Sequence, residues 1–297
     1  MCDGAVEFRE GTLPGGLPFL AFGSGPPLLA LPGFGPHHRN PTGFDRTTQT
    51  RGLRPQARRF TVHLVQRRPS LASGTTMGHL ADDVATAIRG QFGGPVPVLG
   101  TSTGGSVALQ LAVDHPDLVS RLVLACAAAR LGEDGRRRQR VLAELTQAGE
   151  PRRAWAQLGP ALAGGPVTRR LTSAMMWLAG GAMDPEDASD MLATVEAEDA
   201  FDVMARLGDV TAPTLVVAGG RDGFYSTNLF LRTARGIPDG HLLLYPRSSH
   251  MSALRHRSAQ RAITTFLADE EESWQSWSPT RAGTARRRAS RSRSPRR

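Results

Sequence analysis

The sequence predicts an α/β protein with a mostly parallel sheet, helices on both faces and an inserted helical cap. Short apolar runs such as "LALPGFG" and "VPVLG" end in Gly or Pro, and they alternate with segments of helical spacing such as "HLADDVATAI". Short apolar strands that alternate with helices are typical of a parallel sheet covered on both faces. With 297 residues, the chain can form one large domain that carries an insertion.

Six strands are predicted from short apolar or β-branched runs that are bounded by turn residues. The first strand lies at the start of the stretch 26–35. The other five lie, in chain order, at 59–67, 96–100, 121–129, 213–220 and 241–246. Helices are predicted over 79–88, where Leu80, Val84 and Ile88 share one face, and over 104–113 and 257–269.

Strand signals are missing between about 130 and 210, where the sequence instead indicates several helices. We therefore predict an α/β core over 1–129 and 209–272, interrupted by a helical cap over 130–208. From residue 273 the composition consists mainly of Ser, Arg, Pro and Thr. Such a segment cannot form a packed core, so the tail 273–297 is predicted to be disordered.

The net charge of +9 comes mainly from the tail, because residues 281–297 hold eight arginines and no acid. Lysine is absent, which excludes a P-loop and Schiff-base catalysis. Together with the many Ala, Gly and Arg residues, its absence suggests a bacterial gene of high GC content. The tail has no interleaved aromatic residues, so a nucleic-acid partner is not expected and a solubilising extension is favoured.

The sequence predicts a cytoplasmic protein without a membrane partner. Cys2 and Cys126 are too few for a disulfide framework, the N-terminus lacks the apolar core of a signal peptide, and no apolar run approaches the roughly 20 residues of a membrane span.

The stretch Gly100-Thr101-Ser102-Thr103-Gly104 has the Gly-x-Ser-x-Gly pattern of a nucleophile elbow. It lies between a predicted strand and a predicted helix, as that turn requires. Glycines two residues before and after the serine allow the close approach of neighbouring backbone that the sharp turn imposes. The alternative is a plain strand-to-helix turn.

Two further residues complete a candidate catalytic triad. Asp222 and His250 each follow a predicted strand, in the chain order Ser, acid, His. Ends of parallel strands at the carboxyl edge of a sheet are where such sites form. His256 is a rival base, although it falls where the last helix begins.

These motifs, with "VLGTSTGGSVALQLAVDHPDLVSRLVLA", "APTLVVAGGRDGFYS" and "LYPRSSH", resemble the α/β-hydrolase superfamily over about residues 5–270. The resemblance implies an eight-stranded sheet, with Ser102 as nucleophile, Asp222 as orienting acid and His250 as base. It also implies an oxyanion hole formed by the Thr103 and Phe34 N–H groups. Relatives usually carry His-Gly where this chain has Pro32-Gly33.

The expected function is hydrolysis of a small or medium carboxylic ester or lactone, a small-molecule substrate, through an acyl-enzyme and without a cofactor or metal. Cofactor-free perhydrolases and C–C bond hydrolases share the same triad and stay open, as does a non-catalytic ligand-binding protein. The acids between 184 and 202 could bind a substrate amine, but a solvated helix face is the commoner explanation. His37 and His38 are expected at the surface or pocket rim. Trp155, Met175, Met176 and Trp177 either line an apolar pocket or pack the cap.

Overall fold

A single eight-stranded sheet forms the centre of the molecule. The computed structural model describes residues 7–185 and 187–269. Its strands are β1 (Arg9–Leu13), β2 (Leu17–Gly23), β3 (Pro27–Leu31), β4 (Thr61–Val65), β5 (Val96–Thr101), β6 (Val119–Ala125), β7 (Thr214–Gly219) and β8 (Gly240–Tyr245).

The strand order across the sheet is β1-β2-β4-β3-β5-β6-β7-β8. Strand β2 is antiparallel to both β1 and β4, whereas all the other neighbouring pairs are parallel. The prediction of a mostly parallel sheet with helices is confirmed. Parallel strands place all their carboxyl ends at one edge of the sheet. The candidate site residues follow β5, β7 and β8 at that edge.

Ten α-helices are described, and five of them come between β6 and β7. The helices are α1 (Gly43–Ala57), α2 (Met77–Gln91), α3 (Thr103–Asp114), α4 (Glu133–Gln147), α5 (Pro151–Ala156), α6 (Gly159–Leu162), α7 (Pro166–Gly180), α8 (Ser189–Ala200), α9 (Thr227–Gly236) and α10 (Arg257–Leu267). Helices α4 to α8 occupy the segment for which the sequence predicts a cap.

Apolar side chains are buried on both faces of the sheet. Helix α2 contributes Leu80, Val84 and Ile88 to the core on one face, as their spacing predicts. On the other face, Ile263 and Phe266 of α10 pack against the strands. Burying an aliphatic or aromatic side chain stabilises the fold by about 1.5–3 kcal/mol, so these two layers stabilise the sheet that carries the site.

Two further predictions concern a membrane span and the C-terminal tail. Within the described residues, no helix is long and apolar enough to cross a membrane. The predicted disordered tail, 273–297, lies outside the described residues.

Candidate active site

A strained turn at Ser102 joins β5 to α3. Ser102 has φ 50° and ψ −123°, a left-handed conformation that is rare for residues with a side chain. A Cβ at Gly100 would lie 2.5 Å from the carbonyl oxygen of Gly104, and one at Gly104 would lie 2.2 Å from that of Leu31. Only glycine fits at both positions, so the small residues around Ser102 are required by the turn itself.

The loops after β7 and β8 are packed tightly together, which brings Asp222 close to His250. A Cβ at Gly219 would lie 2.5 Å from the carbonyl oxygen of Ser248, so the two backbones touch. The Arg221 N–H donates a 2.8 Å hydrogen bond to the same Ser248 oxygen. This contact fixes one loop against the other, and both lie at the carboxyl edge of the sheet.

The structure brings Ser102, His250 and Asp222 into one hydrogen-bonded series. His250 Nε2 lies 3.0 Å from the Ser102 hydroxyl, and His250 Nδ1 lies 2.7 Å from Asp222 Oδ2. A carboxylate accepts only, so Nδ1 carries the proton and Nε2 is left to accept from the serine. The side chains of His250 and Asp222 are 2% and 0% exposed.

The second oxygen of Asp222 is held by its own loop. Oδ1 accepts hydrogen bonds from the backbone N–H groups of Phe224 at 2.8 Å and Tyr225 at 3.2 Å. The rings of these two residues also contact the His250 imidazole, with centroid distances of 4.8 and 6.0 Å. The loop therefore orients both the carboxylate and the ring to which it is bonded.

The expected oxyanion donors lie on either side of Ser102. Thr103 is the first residue of α3, and the loop of Gly33 and Phe34 lies close by, since a Cβ at Gly33 would be 3.4 Å from the Ser102 Cβ. Among the described residues, neither the Thr103 nor the Phe34 N–H has a hydrogen-bond partner. The N–H groups of a first helical turn have no partner within the helix and are available to an anion.

Arg67 is buried behind the loop of Gly33 and Phe34, which is the expected oxyanion loop, and sequence reasoning missed it. Its guanidinium approaches the carbonyl oxygen of Gly33 at 3.3 and 3.4 Å and that of Pro32 at 3.5 Å. Its Nε donates to His38 Nε2 at 3.1 Å. Burial lowers the pKa of Arg67 to about 10, while nearby Glu198 and Asp190 act in the opposite direction.

His38 is buried rather than exposed, so its expected place at the surface or pocket rim is wrong. It is 5% exposed, and its Nδ1 donates to the Arg68 carbonyl oxygen at 3.0 Å. Burial, followed by the charge of Arg67, lowers the pKa of His38 to about 4. The neutral ring can therefore accept from Arg67 through Nε2.

Glu198 of α8 is fully buried against α3, so a solvated helix face is the wrong explanation for this acid. Its Oε2 accepts from the Thr103 hydroxyl at 2.8 Å and from Gln139 Nε2 at 2.9 Å. Its Oε1 accepts from the Ser106 hydroxyl at 2.9 Å. Both oxygens are thus occupied by neighbours on the protein, which leaves no room for a substrate amine.

His256, the rival base, and the nearby Cys126 lie outside the hydrogen-bonded series. His256 donates to or accepts from the Ser248 hydroxyl at 2.8 Å, and its ring stacks on Tyr245. Cys126 is buried, and its thiol donates to the His250 carbonyl oxygen at 2.5 Å. Burial raises the pKa of this thiol well above its usual value, which makes it an unreactive neighbour of the site.

Of the four apolar residues that the sequence analysis placed in the predicted cap, only some are packed. Trp155 is buried, and its ring lies 5.8 Å from that of Phe34, so it forms a wall beside the oxyanion loop. Met176 packs partly against the core, whereas Met175 is 68% exposed. Trp177 is 43% exposed and carries the Arg152 guanidinium over its ring.

The family model of serine aminopeptidase, S33, matches residues 75–254, which is more than half of the chain and includes Ser102, Asp222 and His250. The chain belongs to this family, within the α/β-hydrolase superfamily. This α/β hydrolase also matches curated relatives along most of their length. It is 29% identical to RutD of Variovorax paradoxus, named provisionally as a carbamate hydrolase, covering 67% of this chain and 76% of that protein.

A second relative is the pimeloyl-[acyl-carrier protein] methyl ester esterase of Chromobacterium violaceum, which is 27% identical over 82% of this chain and 95% of its own. Among solved structures, the enol-lactonase from Burkholderia xenovorans superposes with a TM-score of 0.70 at 19% identity, covering 88% of this chain and all (100%) of that one. The first is a hydrolase by name, the second is an esterase by name, and the third shows the fold. The protein is therefore an α/β-fold hydrolase of esterase type.

Proposed function

We propose that this hydrolase cleaves small or medium carboxylic esters or lactones through an acyl-enzyme on Ser102. The observation that carries the proposal is the series Ser102–His250–Asp222, with bonds of 3.0 and 2.7 Å. A nucleophile bonded to a base, which is in turn bonded to an orienting carboxylate, is the arrangement that activates a serine.

In the first half of the reaction, the Ser102 Oγ attacks the carbonyl carbon while His250 Nε2 takes the hydroxyl proton. The new C–O bond turns the carbonyl into a tetrahedral oxyanion, which the Thr103 and Phe34 N–H groups bind. Asp222 keeps the imidazolium oriented through its hydrogen bond to Nδ1. Collapse of the intermediate breaks the bond to the leaving alcohol, which receives the proton from Nε2.

In the second half, water attacks the acyl-enzyme carbonyl and gives its proton to His250. The tetrahedral intermediate forms at the same place, so the same two N–H groups stabilise it. Its collapse releases the carboxylic acid and returns the proton to Ser102. Donors that are fixed before the reaction stabilise the developing charge without reorganising, and each is worth about 10²- to 10³-fold in kcat.

The substrate class follows from the surroundings of Ser102. Phe34 and Trp155 give the site an apolar wall beside the oxyanion loop. Glu198 is buried and accepts three hydrogen bonds from the protein, which disfavours a substrate with a free amino group. An ester with an uncharged acyl chain fits these features, and the name of the Chromobacterium violaceum relative supports ester chemistry.

The test is hydrolysis of p-nitrophenyl esters of graded acyl length and of simple lactones by wild type and Ser102→Ala. We expect turnover by wild type and a loss of several orders of magnitude in kcat for the variant. Ser120→Ala is the matched control, because Ser120 is exposed at the start of β6, away from the carboxyl edge of the sheet.

Labelling by a fluorophosphonate gives a second, substrate-independent measurement. Labelling of wild type at Ser102 without ester or lactone turnover would overturn the substrate class and leave perhydrolysis or C–C cleavage to be assayed next. If wild type is neither labelled nor able to hydrolyse any of the esters and lactones, the proposed hydrolase activity is overturned and a ligand-binding function is favoured.

A further inference from the structure

Two buried charged side chains approach the two oxyanion donors from opposite sides. Arg67 follows β4 and reaches the oxyanion loop, while Glu198 lies on α8 and reaches the first turn of α3. Arg67 is 7% exposed and Glu198 is 0% exposed. Full burial of a charge costs several kcal/mol unless partners compensate it, so the placement of both groups calls for an explanation.

Arg67 controls the direction of the Phe34 N–H through the peptide that joins Gly33 to Phe34. This peptide is trans and planar, so the Gly33 carbonyl and the Phe34 N–H point in opposite directions. The guanidinium receives the carbonyl oxygen at 3.3 and 3.4 Å on one side. Holding the oxygen there fixes the N–H in the direction away from the guanidinium, in a loop that lies beside Ser102, since a Cβ at Gly33 would be 3.4 Å from the Ser102 Cβ.

Arg67 is itself held in place by a second buried residue. Its Nε donates to His38 at 3.1 Å, and His38 is anchored by the carbonyl oxygen of Arg68 at 3.0 Å. A neutral histidine can accept this bond, whereas an imidazolium cannot. The fork of the guanidinium is thereby left facing the Gly33 and Pro32 carbonyl oxygens.

Glu198 controls Thr103 in a different way. It accepts from the hydroxyls of Thr103 and Ser106, which are three residues apart on the same face of α3. Two bonds to one carboxylate fix the first turn of the helix, including the Thr103 N–H. A carboxylate at a helix N-terminus also interacts favourably with the helix dipole.

The two charges also compensate each other. Glu198 and Asp190 act on Arg67 electrostatically, in the direction that favours its charged form. Loss of either charge would leave the other buried with less compensation. The pair thus links the loop on one side of Ser102 to the helix on the other.

We propose that Arg67 and Glu198 are positioning residues that align the Phe34 and Thr103 N–H groups on the reacting carbonyl oxygen. The inference rests on the proposed function, because an oxyanion hole matters only where an oxyanion forms. Donors that act on the oxyanion change kcat more than KM, since the charge develops in the transition state.

The mildest test is Thr103→Val, which removes the hydroxyl bonded to Glu198 and leaves the Thr103 N–H in the chain. We expect kcat for ester hydrolysis to fall by about 10- to 100-fold, below the effect of losing a donor outright, with KM nearly unchanged. Thr103→Ser keeps the hydroxyl and is expected to recover most of the loss. Thr233→Val is the matched control, because it removes a buried threonine hydroxyl that bonds to the Ala129 N–H and the Leu229 carbonyl, in α9.

Arg67 and Glu198 are tested with substitutions that preserve size or charge. Arg67→Lys keeps the charge but loses the fork and the bond to His38, and Glu198→Gln keeps the shape but loses the charge. We expect both to lower kcat by about 10-fold or more, on the scale of a misaligned oxyanion donor. Arg68→Lys is the control for the arginine, because the Arg68 side chain bonds to Asp83 at 2.7 Å and not to the oxyanion loop.

A separate measurement distinguishes alignment from general loss of structure. A trifluoromethyl ketone forms a tetrahedral adduct on the serine that carries an oxyanion, so its inhibition constant should rise by the same factor as kcat falls. The melting temperature reports whether each variant is folded. Loss of folded protein would lower the apparent kcat but would leave both KM and the inhibition constant of the ketone unchanged.

The outcomes separate the two proposals. An active wild type whose Thr103→Val variant keeps wild-type kcat and ketone affinity would overturn the positioning role and leave the proposed function standing. A kcat loss matched by Thr233→Val would also overturn it. A wild type with neither turnover nor labelling would overturn both.

Discussion

The hydroxyl of Thr103 donates a 2.8 Å hydrogen bond to Glu198, a residue 95 positions further along the chain. Thr103 is adjacent to Ser102, and Glu198 lies on α8, the last α-helix described between β6 and β7. One buried bond therefore joins that helical segment directly to the turn that carries the candidate nucleophile. The consequences of this geometry, and of the loops around it, can be measured.

Replacing His250 with Gln should nearly abolish ester hydrolysis. His250 is the group bonded to the Ser102 hydroxyl at 3.0 Å, and glutamine cannot take the proton from it. We expect a fall in kcat of at least about 10³-fold, with loss of fluorophosphonate labelling. His256→Gln is the control, because that ring bonds to Ser248 and should leave kcat near wild type. The reverse pattern would show that His256 is the base.

Replacing Asp222 with Asn should leave the fold intact and lower kcat by about 10³- to 10⁴-fold, because the amide favours the wrong tautomer of His250. Asp222 accepts from His250 Nδ1 at 2.7 Å and is closed off from solvent. Circular dichroism and a full kinetic profile would measure both effects. Retention of activity above a tenth of wild type would contradict an orienting role for this carboxylate.

Replacing Gly104 with Ala should destabilise the protein. The new Cβ would meet backbone oxygens of Leu31 and Pro32 at 2.2 and 2.4 Å, and backbone cannot move aside as a flexible side chain can. Such overpacking costs about 1–3 kcal/mol or more, which urea unfolding would detect. Gly94→Ala is the control, because nothing lies within 4 Å of a Cβ there. Equal stability of both variants would contradict the close approach at the elbow.

Stability should fall as the pH is lowered from about 6.5 to about 4. His38 has a folded-state pKa of about 4, lowered from 6.5 by burial and then by Arg67, while Asp190 acts in the opposite direction and His37 adds to the lowering. Across this window the unfolded chain binds more protons than the folded one, so acid favours unfolding. The contribution is on the order of 3 kcal/mol, at about 1.4 kcal/mol for each pKa unit.

The measurement is the free energy of unfolding of wild type and His38→Gln between pH 4 and pH 7. The variant should show a weaker pH dependence, because glutamine does not titrate. Some dependence should remain, since burial also lowers the pKa of His63. Identical slopes for wild type and variant would contradict the burial of a neutral His38.

The central part of the fold could be predicted because its strands are buried on both faces. Strands β3 to β8 appear as short apolar runs, and their positions agree with the prediction to within a few residues. Strand β1 was missed because it is an edge strand whose first four residues are exposed and only Leu13 is buried. Helix α1 was missed because it has no apolar stripe, and Thr50 and Gln56 are its buried residues.

The candidate site was predictable only where a local motif or chain order marks it. Ser102 stands in a five-residue pattern, and Asp222 and His250 follow strands, so each leaves a local signal. Arg67 and Glu198 leave none, because an arginine after a strand and a glutamate on a helix are ordinarily solvated. Their role depends on contacts 34 and 95 residues away in sequence, which only the folded chain reveals.

The bond between Glu198 and Thr103 sets a limit on how the specificity of this protein can be redesigned. A chimera that exchanged the whole segment 130–208 for that of another hydrolase would remove an acceptor on which the nucleophile turn depends. Libraries that vary α5 to α7 and retain α8 should therefore yield active clones far more often than complete exchanges. Helix α8, which carries Glu198, therefore belongs with the conserved part of such a design rather than with the part that is varied.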